Sequence, residues 1–98
     1  MKRITILGST GSIGLNALEV IERSPEKYRA IALTAGRNVD LLAEQIEKFH
    51  PVGVALLEED LAHVLRTRLD KNIATEVLYG TEGFVHLATL EEVDTVIS

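Results

Sequence analysis

Short apolar runs alternate along this chain with longer stretches of helical period. The apolar runs cover residues 3–7, 28–35, 52–57, 76–78 and 93–97, and their length predicts buried β-strands. Four apolar residues between the first two runs recur at helical spacing, namely Ile13, Ala17, Val20 and Ile21. This stripe predicts a first helix, and the Ser24-Pro25 step that follows should end it.

Three further helices are expected after the second strand. Asn38 should cap a helix whose apolar stripe is Val39, Leu42, Ala43, Ile46 and Phe49. A third helix should begin near Glu58, Glu59 and Asp60, whose negative charge suits a helix N-terminus, and run to about residue 69. Gly83 weakens the last helical pattern, so residues 81–87 should form only a turn or two. Right-handed crossovers would give a doubly wound, Rossmann-like parallel α/β sheet in three αβα layers, with strand order 3-2-1-4-5.

A glycine-rich segment, residues 8–14 (GSTGSIG), joins the first predicted strand to the first predicted helix. Gly8 would permit the tight turn, Gly11 would let a pyrophosphate approach the backbone, and Gly14 would let the helix pack closely. The free N–H groups at a helix N-terminus attract phosphate, and the Thr10 and Ser12 hydroxyls could add hydrogen bonds. The GxxGxxG spacing alone is weak evidence, but its strand–loop–helix context favours dinucleotide binding over a purely structural glycine turn.

The end of the second strand carries no acidic residue. NAD-binding domains usually hold the ribose 2′-hydroxyl there with Asp or Glu, whereas this chain reads Gly36-Arg37-Asn38 and Asp40 already lies in the next helix. A guanidinium matches phosphate oxygens, so Arg37 should bind the 2′-phosphate of NADPH. Gly36 would keep the adenosine side open, and Asn38 could add a hydrogen bond. The alternative is a solvated arginine beside an ordinary helix cap.

Composition narrows the possible functions further. The 98 residues suffice for one domain, a net charge of −5 disfavours nucleic-acid binding, and the absence of cysteine excludes thiolate chemistry. The three histidines share no metal-ligand spacing. Neither tyrosine is followed four residues later by lysine, as a short-chain reductase would require. No targeting or membrane-spanning segment is evident, and a cytoplasmic location is expected.

These motifs together resemble the N-terminal domain of the 1-deoxy-D-xylulose-5-phosphate reductoisomerase family. The resemblance rests on residues 6–14 and 35–38 and continues through residues 24–26, 75–80 and 90–94. It implies that the NADPH contacts are Thr10, Gly11, Ser12, Ile13, Gly36, Arg37 and Asn38. Position 37 is often lysine in the family, so arginine is a departure that keeps the charge.

The resemblance also implies the activity of the full-length enzyme. That enzyme converts 1-deoxy-D-xylulose 5-phosphate to 2-C-methyl-D-erythritol 4-phosphate with NADPH and Mg²⁺ or Mn²⁺, and is expected to be a homodimer. Residues 1–98 would then be an NADPH-binding N-terminal fragment without metal ligands or turnover of its own. Two alternatives remain at this point: the N-terminal domain of a semialdehyde or acyl-phosphate reductase, and a stand-alone, non-catalytic nucleotide-binding module.

Overall fold

A computed structural model describes all 98 residues and contains five strands and four helices. In chain order these are β1 Lys2–Leu7, α1 Ser12–Arg23, β2 Tyr28–Thr34, α2 Val39–Phe49, β3 Gly53–Leu56, α3 Glu59–Arg68, β4 Glu76–Tyr79, α4 Gly80–Ala88 and β5 Thr95–Ile97. Every predicted element is therefore present. None of the four helices has the length and apolar composition needed to cross a lipid bilayer.

All five strands are parallel, which confirms the α/β class, but the predicted strand order is wrong in one respect. The observed order is β4-β3-β2-β1-β5, so β4 lies outside β3 rather than beside β1. Two hydrogen bonds attach the start of β4 to the segment entering β3: Thr75 Oγ1 donates to the Pro51 carbonyl at 2.7 Å, and the Glu76 amide donates to the Val52 carbonyl at 3.0 Å. The winding therefore reverses between β1 and β5, so a ligand crevice is still expected beside β1.

Helix α4 carries the chain from β4, at one edge of the sheet, back to β5 at the opposite edge. It is nine residues long, more than the turn or two expected. A Cβ on Gly83 would lie 3.0 Å from the Leu78 Cβ, so the missing side chain lets α4 approach β4 closely. At the other end, Thr5 Oγ1 in β1 donates to the Leu87 carbonyl at 2.9 Å. The glycine that weakened the prediction thus serves helix packing.

The two faces of the sheet carry cores of unequal size. Helices α1, α2 and α3 cover a cluster of 15 buried apolar residues, while α4 covers a smaller cluster of Ile31, Ala32, Ala55 and Leu87. An irregularity in β2 supports this division, because Ile4 pairs with Ala30 and the next residue, Thr5, pairs with Ala32. The extra residue, Ile31, faces α4.

The apolar stripes of the first two helices were predicted with unequal success. In α2, Asn38 is the N-cap and its side chain accepts a hydrogen bond from the Leu41 amide at 3.1 Å, as predicted. In α1, however, Ile13 and Val20 are 64% and 54% exposed. The buried residues there are Gly14, Leu18 and Ile21. The predicted stripe was therefore right for Ile21 and for the partly buried Ala17 and wrong for Ile13 and Val20, because close contact at Gly14, rather than apolar burial, orients the start of the helix.

Candidate functional site

The glycine loop leaves β1 through a turn that depends on Gly8. Gly8 has φ +82°, a left-handed conformation that other residues rarely adopt. Its amide donates to both the carbonyl and the hydroxyl oxygen of Thr34, each at 3.0 Å, and the Ser9 amide donates to the same carbonyl at 2.8 Å. These bonds fasten the loop to the end of β2, so the predicted role of Gly8 is confirmed.

A buried polar pair that sequence reasoning missed fixes the loop to α2. Ser9 Oγ donates to Gln45 Oε1 at 2.7 Å, and Gln45 Nε2 donates to the Ser9 carbonyl at 3.0 Å. Both side chains are buried. A buried polar pair is stable only when its hydrogen bonds are made, so this reciprocal pair holds the loop in one position. The sequence feature that could have indicated this pair is Gln45 itself, a polar residue directly before Ile46 in the apolar stripe of α2.

The other two loop glycines have different environments. A Cβ on Gly14 would lie 2.3 Å from the Gly8 carbonyl oxygen and 2.6 Å from the Ser9 Cα, which confirms that Gly14 permits close packing. A Cβ on Gly11 would meet nothing closer than that same oxygen, at 3.6 Å. The fold therefore does not need glycine at position 11, and the space beside it is open for a ligand.

The N-terminus of α1 presents unpaired amides beside that space. Gly11 is the N-cap and supplies no side-chain cap, and the amides of Thr10, Ser12 and Ile13 donate to no other backbone group. Gly11, Ser12 and Ile13 are exposed and Thr10 is half-buried. Exposed, unpaired N–H groups at a helix N-terminus form a favourable site for a phosphate.

The second predicted motif lies at the end of β2. Gly36 has open space where a side chain would be, and its carbonyl accepts a hydrogen bond from the Leu57 amide at 3.0 Å. The Arg37 side chain is 71% exposed, and its Nη2 lies 2.9 Å from Glu58 Oε1. Asn38 caps α2. The Arg37 guanidinium is thus paired with a carboxylate that the sequence did not identify as its partner.

A shallow apolar hollow lies between the glycine loop and the end of β2. Its volume is about 270 Å³, and its walls come from the ends of β1 and β2 together with residues after β3 and in α4. The lining residues are Leu7, Gly8, Thr34, Ala35, Gly36, Leu57 and Phe84. The glycine loop therefore borders one side of the hollow at Gly8, and Gly36, the residue before Arg37, borders the other. Leu57 and Phe84 were not predicted from sequence.

Two other features do not form part of this site. A larger hollow of about 690 Å³ lies at the amino-terminal edge of the sheet, lined by residues that include Arg29, His50 and Asp70. Ligands of open parallel sheets bind at the opposite, carboxyl edge, so size does not make it the better candidate. No group of three His, Asp or Glu side chains in the chain could hold a metal ion.

Comparison with known proteins places this geometry in a family. The family model described as 1-deoxy-D-xylulose 5-phosphate reductoisomerase matches residues 4–98. The chain belongs to this reductoisomerase family. The match decides against the semialdehyde or acyl-phosphate reductase alternative. It also confirms the resemblance inferred from the glycine loop and the Gly36-Arg37-Asn38 segment.

Reductoisomerase relatives and structures agree with this assignment. The enzyme of Buchnera aphidicola subsp. Acyrthosiphon pisum is 50% identical over 99 residues, and that of Geotalea daltonii is 49% identical over 98; each alignment covers 100% of this chain and 25% of the relative. A crystal structure of DOX-P reductoisomerase with NADPH, fosmidomycin and magnesium gives TM-score 0.89 at 38% identity, covering 98% of this chain and 24% of that one. The Zymomonas mobilis enzyme in complex with NADPH gives TM-score 0.85 at 33% identity, covering 93% and 24%. The chain therefore spans about a quarter of the length of these reductoisomerases.

Proposed function

We propose that this chain is the NADPH-binding domain of a 1-deoxy-D-xylulose-5-phosphate reductoisomerase, with residues 1–98 forming that domain. The observation that carries the proposal is that one apolar hollow is bordered both by Gly8, which begins the loop with the open amides, and by Gly36, which directly precedes Arg37. The whole enzyme would convert 1-deoxy-D-xylulose 5-phosphate to 2-C-methyl-D-erythritol 4-phosphate. When bound, NADPH supplies the hydride for that reduction.

The pyrophosphate of NADPH fits the glycine loop. Its contacts would be Thr10, Gly11, Ser12 and Ile13, which lie at or just before the start of α1 and of which all but the half-buried Thr10 are exposed. The helix dipole favours negative charge at that end, and the open space at Gly11 admits phosphate oxygens to the backbone. The Ser9–Gln45 pair keeps these donors in place before the cofactor arrives.

The adenosine 2′-phosphate fits the end of β2. Arg37 would supply charge and a fork of N–H donors, Asn38 a side-chain hydrogen bond, and Gly36 an unobstructed surface. The absence of an acidic residue directly at the end of β2 removes the group that usually holds the 2′-hydroxyl of NADH. This half of the site would therefore select NADPH over NADH.

We assign no step of the reaction beyond cofactor binding to these residues. The Mg²⁺ or Mn²⁺ expected for the whole enzyme does not fit this chain, which has no group of three metal-ligating side chains. The metal and the sugar phosphate would be held by the remaining three quarters of a reductoisomerase. The chain alone should bind NADPH without turnover; the dimer and the cytoplasmic location stay predictions.

Isothermal titration calorimetry with NADPH and NADH tests the proposal. The chain should prefer NADPH, and Arg37→Ala should weaken NADPH binding by about tenfold, the low end for a charge-assisted hydrogen bond at an exposed site, while leaving NADH binding nearly unchanged. Arg23→Ala is the matched control, because Arg23 is an equally exposed arginine in an ion pair, with Glu19, at the far end of α1. Equal affinity for both cofactors, or equal losses in the two variants, would contradict the assignment.

A further inference from the structure

The ion pair at Arg37 is fixed by the fold rather than by chance contact of two long side chains. The Leu57 amide donates to the Gly36 carbonyl at 3.0 Å, so the residues that follow each partner, Arg37 and Glu58, lie side by side. Their charged atoms, Arg37 Nη2 and Glu58 Oε1, are 2.9 Å apart. Glu58 is 48% exposed and forms the N-cap of α3 in an extended conformation. The Glu58 carboxylate therefore lies directly against the Arg37 guanidinium, the group that we propose binds the 2′-phosphate.

We propose that Glu58 is a specificity-determining residue that competes with the 2′-phosphate for Arg37 and so limits the preference for NADPH over NADH. The inference rests on the proposed function. A carboxylate and a phosphate use the same guanidinium N–H donors, and a phosphate monoester carries between one and two negative charges near neutral pH. Both anions cannot hold Arg37 without repelling each other. Binding of the 2′-phosphate would therefore weaken or displace the contact between Glu58 and Arg37.

Of the two acidic residues Asp40 and Glu58, only Glu58 forms an ion pair with Arg37. Asp40 follows Arg37 closely in sequence and lies in the first turn of α2, but its carboxylate forms an ion pair with Arg68 instead. Glu58, by contrast, has a second favourable position within reach. Its side chain makes no cap hydrogen bond to α3 at present, and a carboxylate at a helix N-terminus is stabilised by the unpaired amides and the helix dipole. The Glu58 carboxylate can therefore leave Arg37 for the N-terminus of α3 at a modest cost in free energy.

Calorimetric titration of Glu58→Gln with NADPH and NADH measures this competition. An exposed ion pair contributes up to about 1 kcal/mol, so NADPH should bind roughly two- to fivefold more tightly to the variant. NADH has no 2′-phosphate and should gain nothing, so the NADPH preference rises by the same factor. Glu59→Gln is the matched control, because it removes the same charge from the next residue, which makes no ion pair in the structure.

The same substitution in the Arg37→Ala background separates competition from simple repulsion. If Glu58 acts by occupying Arg37, most of its effect on NADPH disappears when Arg37 is absent. An equal gain in both backgrounds, an equal gain for NADH, or an equal gain from Glu59→Gln overturns the inference. Loss of NADPH preference in Arg37→Ala with no effect of Glu58→Gln overturns it while leaving the proposed function intact. Absence of NADPH preference in both the parent chain and Glu58→Gln overturns both.

Discussion

Gly14→Ala should destabilise the fold although alanine is the better helix former. The added Cβ would lie 2.3 Å from the Gly8 carbonyl oxygen and 2.6 Å from the Ser9 Cα. Both are backbone atoms of a loop that Thr34 holds through three hydrogen bonds, so no flexible side chain can move aside. The clash can be relieved only by shifting the start of α1 away from the loop.

The expected size follows from two opposing terms. Overpacking that forces backbone shifts costs about 3 kcal/mol at the upper end of its usual range, and alanine returns about 1 kcal/mol through helix propensity. The net loss is about 2 kcal/mol, which for a chain of 98 residues corresponds to a Tm lower by roughly 10 °C. Urea titration followed by far-ultraviolet circular dichroism measures the change in free energy of unfolding.

Gly11→Ala is the control within the same loop. Its Cβ would meet only the Gly8 carbonyl oxygen, at an ordinary 3.6 Å, and its φ of −88° suits any residue. Its stability should therefore change by less than about 0.5 kcal/mol, since a poorer N-cap is offset by a less flexible unfolded chain. It should nevertheless weaken NADPH binding if phosphate approaches the backbone there. A Gly14→Ala variant as stable as the parent, or a Gly11→Ala variant equally destabilised, would refute this reasoning.

Two further predictions concern the bonds that hold the site and the sheet together. Gln45→Met keeps the bulk but leaves the buried Ser9 hydroxyl without its acceptor, so urea titration should show a loss of about 1–3 kcal/mol, and Ser9→Ala should restore part of it. The Arg3 amide, which donates to Asp94 at 2.8 Å, and then the Arg3 guanidinium hold the pKa of Asp94 below its usual range. Because a lowered folded-state pKa adds stability only while the carboxylate is charged, Asp94→Asn should be less stable than the parent at neutral pH. The two unfolding curves should converge as the pH falls through the folded-state pKa of Asp94, and a difference that persists in acid would disprove the linkage.

The parts of the fold that were predicted correctly depend on local chemistry. Gly8 and Asn38 act through their own backbone angle and a cap bond three residues away, so the sequence around them was sufficient. The position of β4 depends on bonds between the segments before β3 and β4, which are more than 20 residues apart. No local pattern distinguishes that arrangement from a strand beside β1, and the strand order was wrong for this reason.

The candidate site also combines features that local sequence indicates with features that depend on contacts between distant segments. The glycine loop and Arg37 could be proposed as phosphate contacts from the sequence, because each motif has a direct chemical meaning for phosphate, and their role in binding stays a prediction. The partners that control them, Gln45 for the loop and Glu58 for Arg37, come from separate elements and look like ordinary helix residues in the sequence. Gln45 reinforces the motif it contacts, whereas Glu58 opposes it. We therefore expect the sequence motif to indicate which cofactor binds and the tertiary neighbours to set the strength of the preference; in this chain the proposed neighbour is a single carboxylate 2.9 Å from the guanidinium.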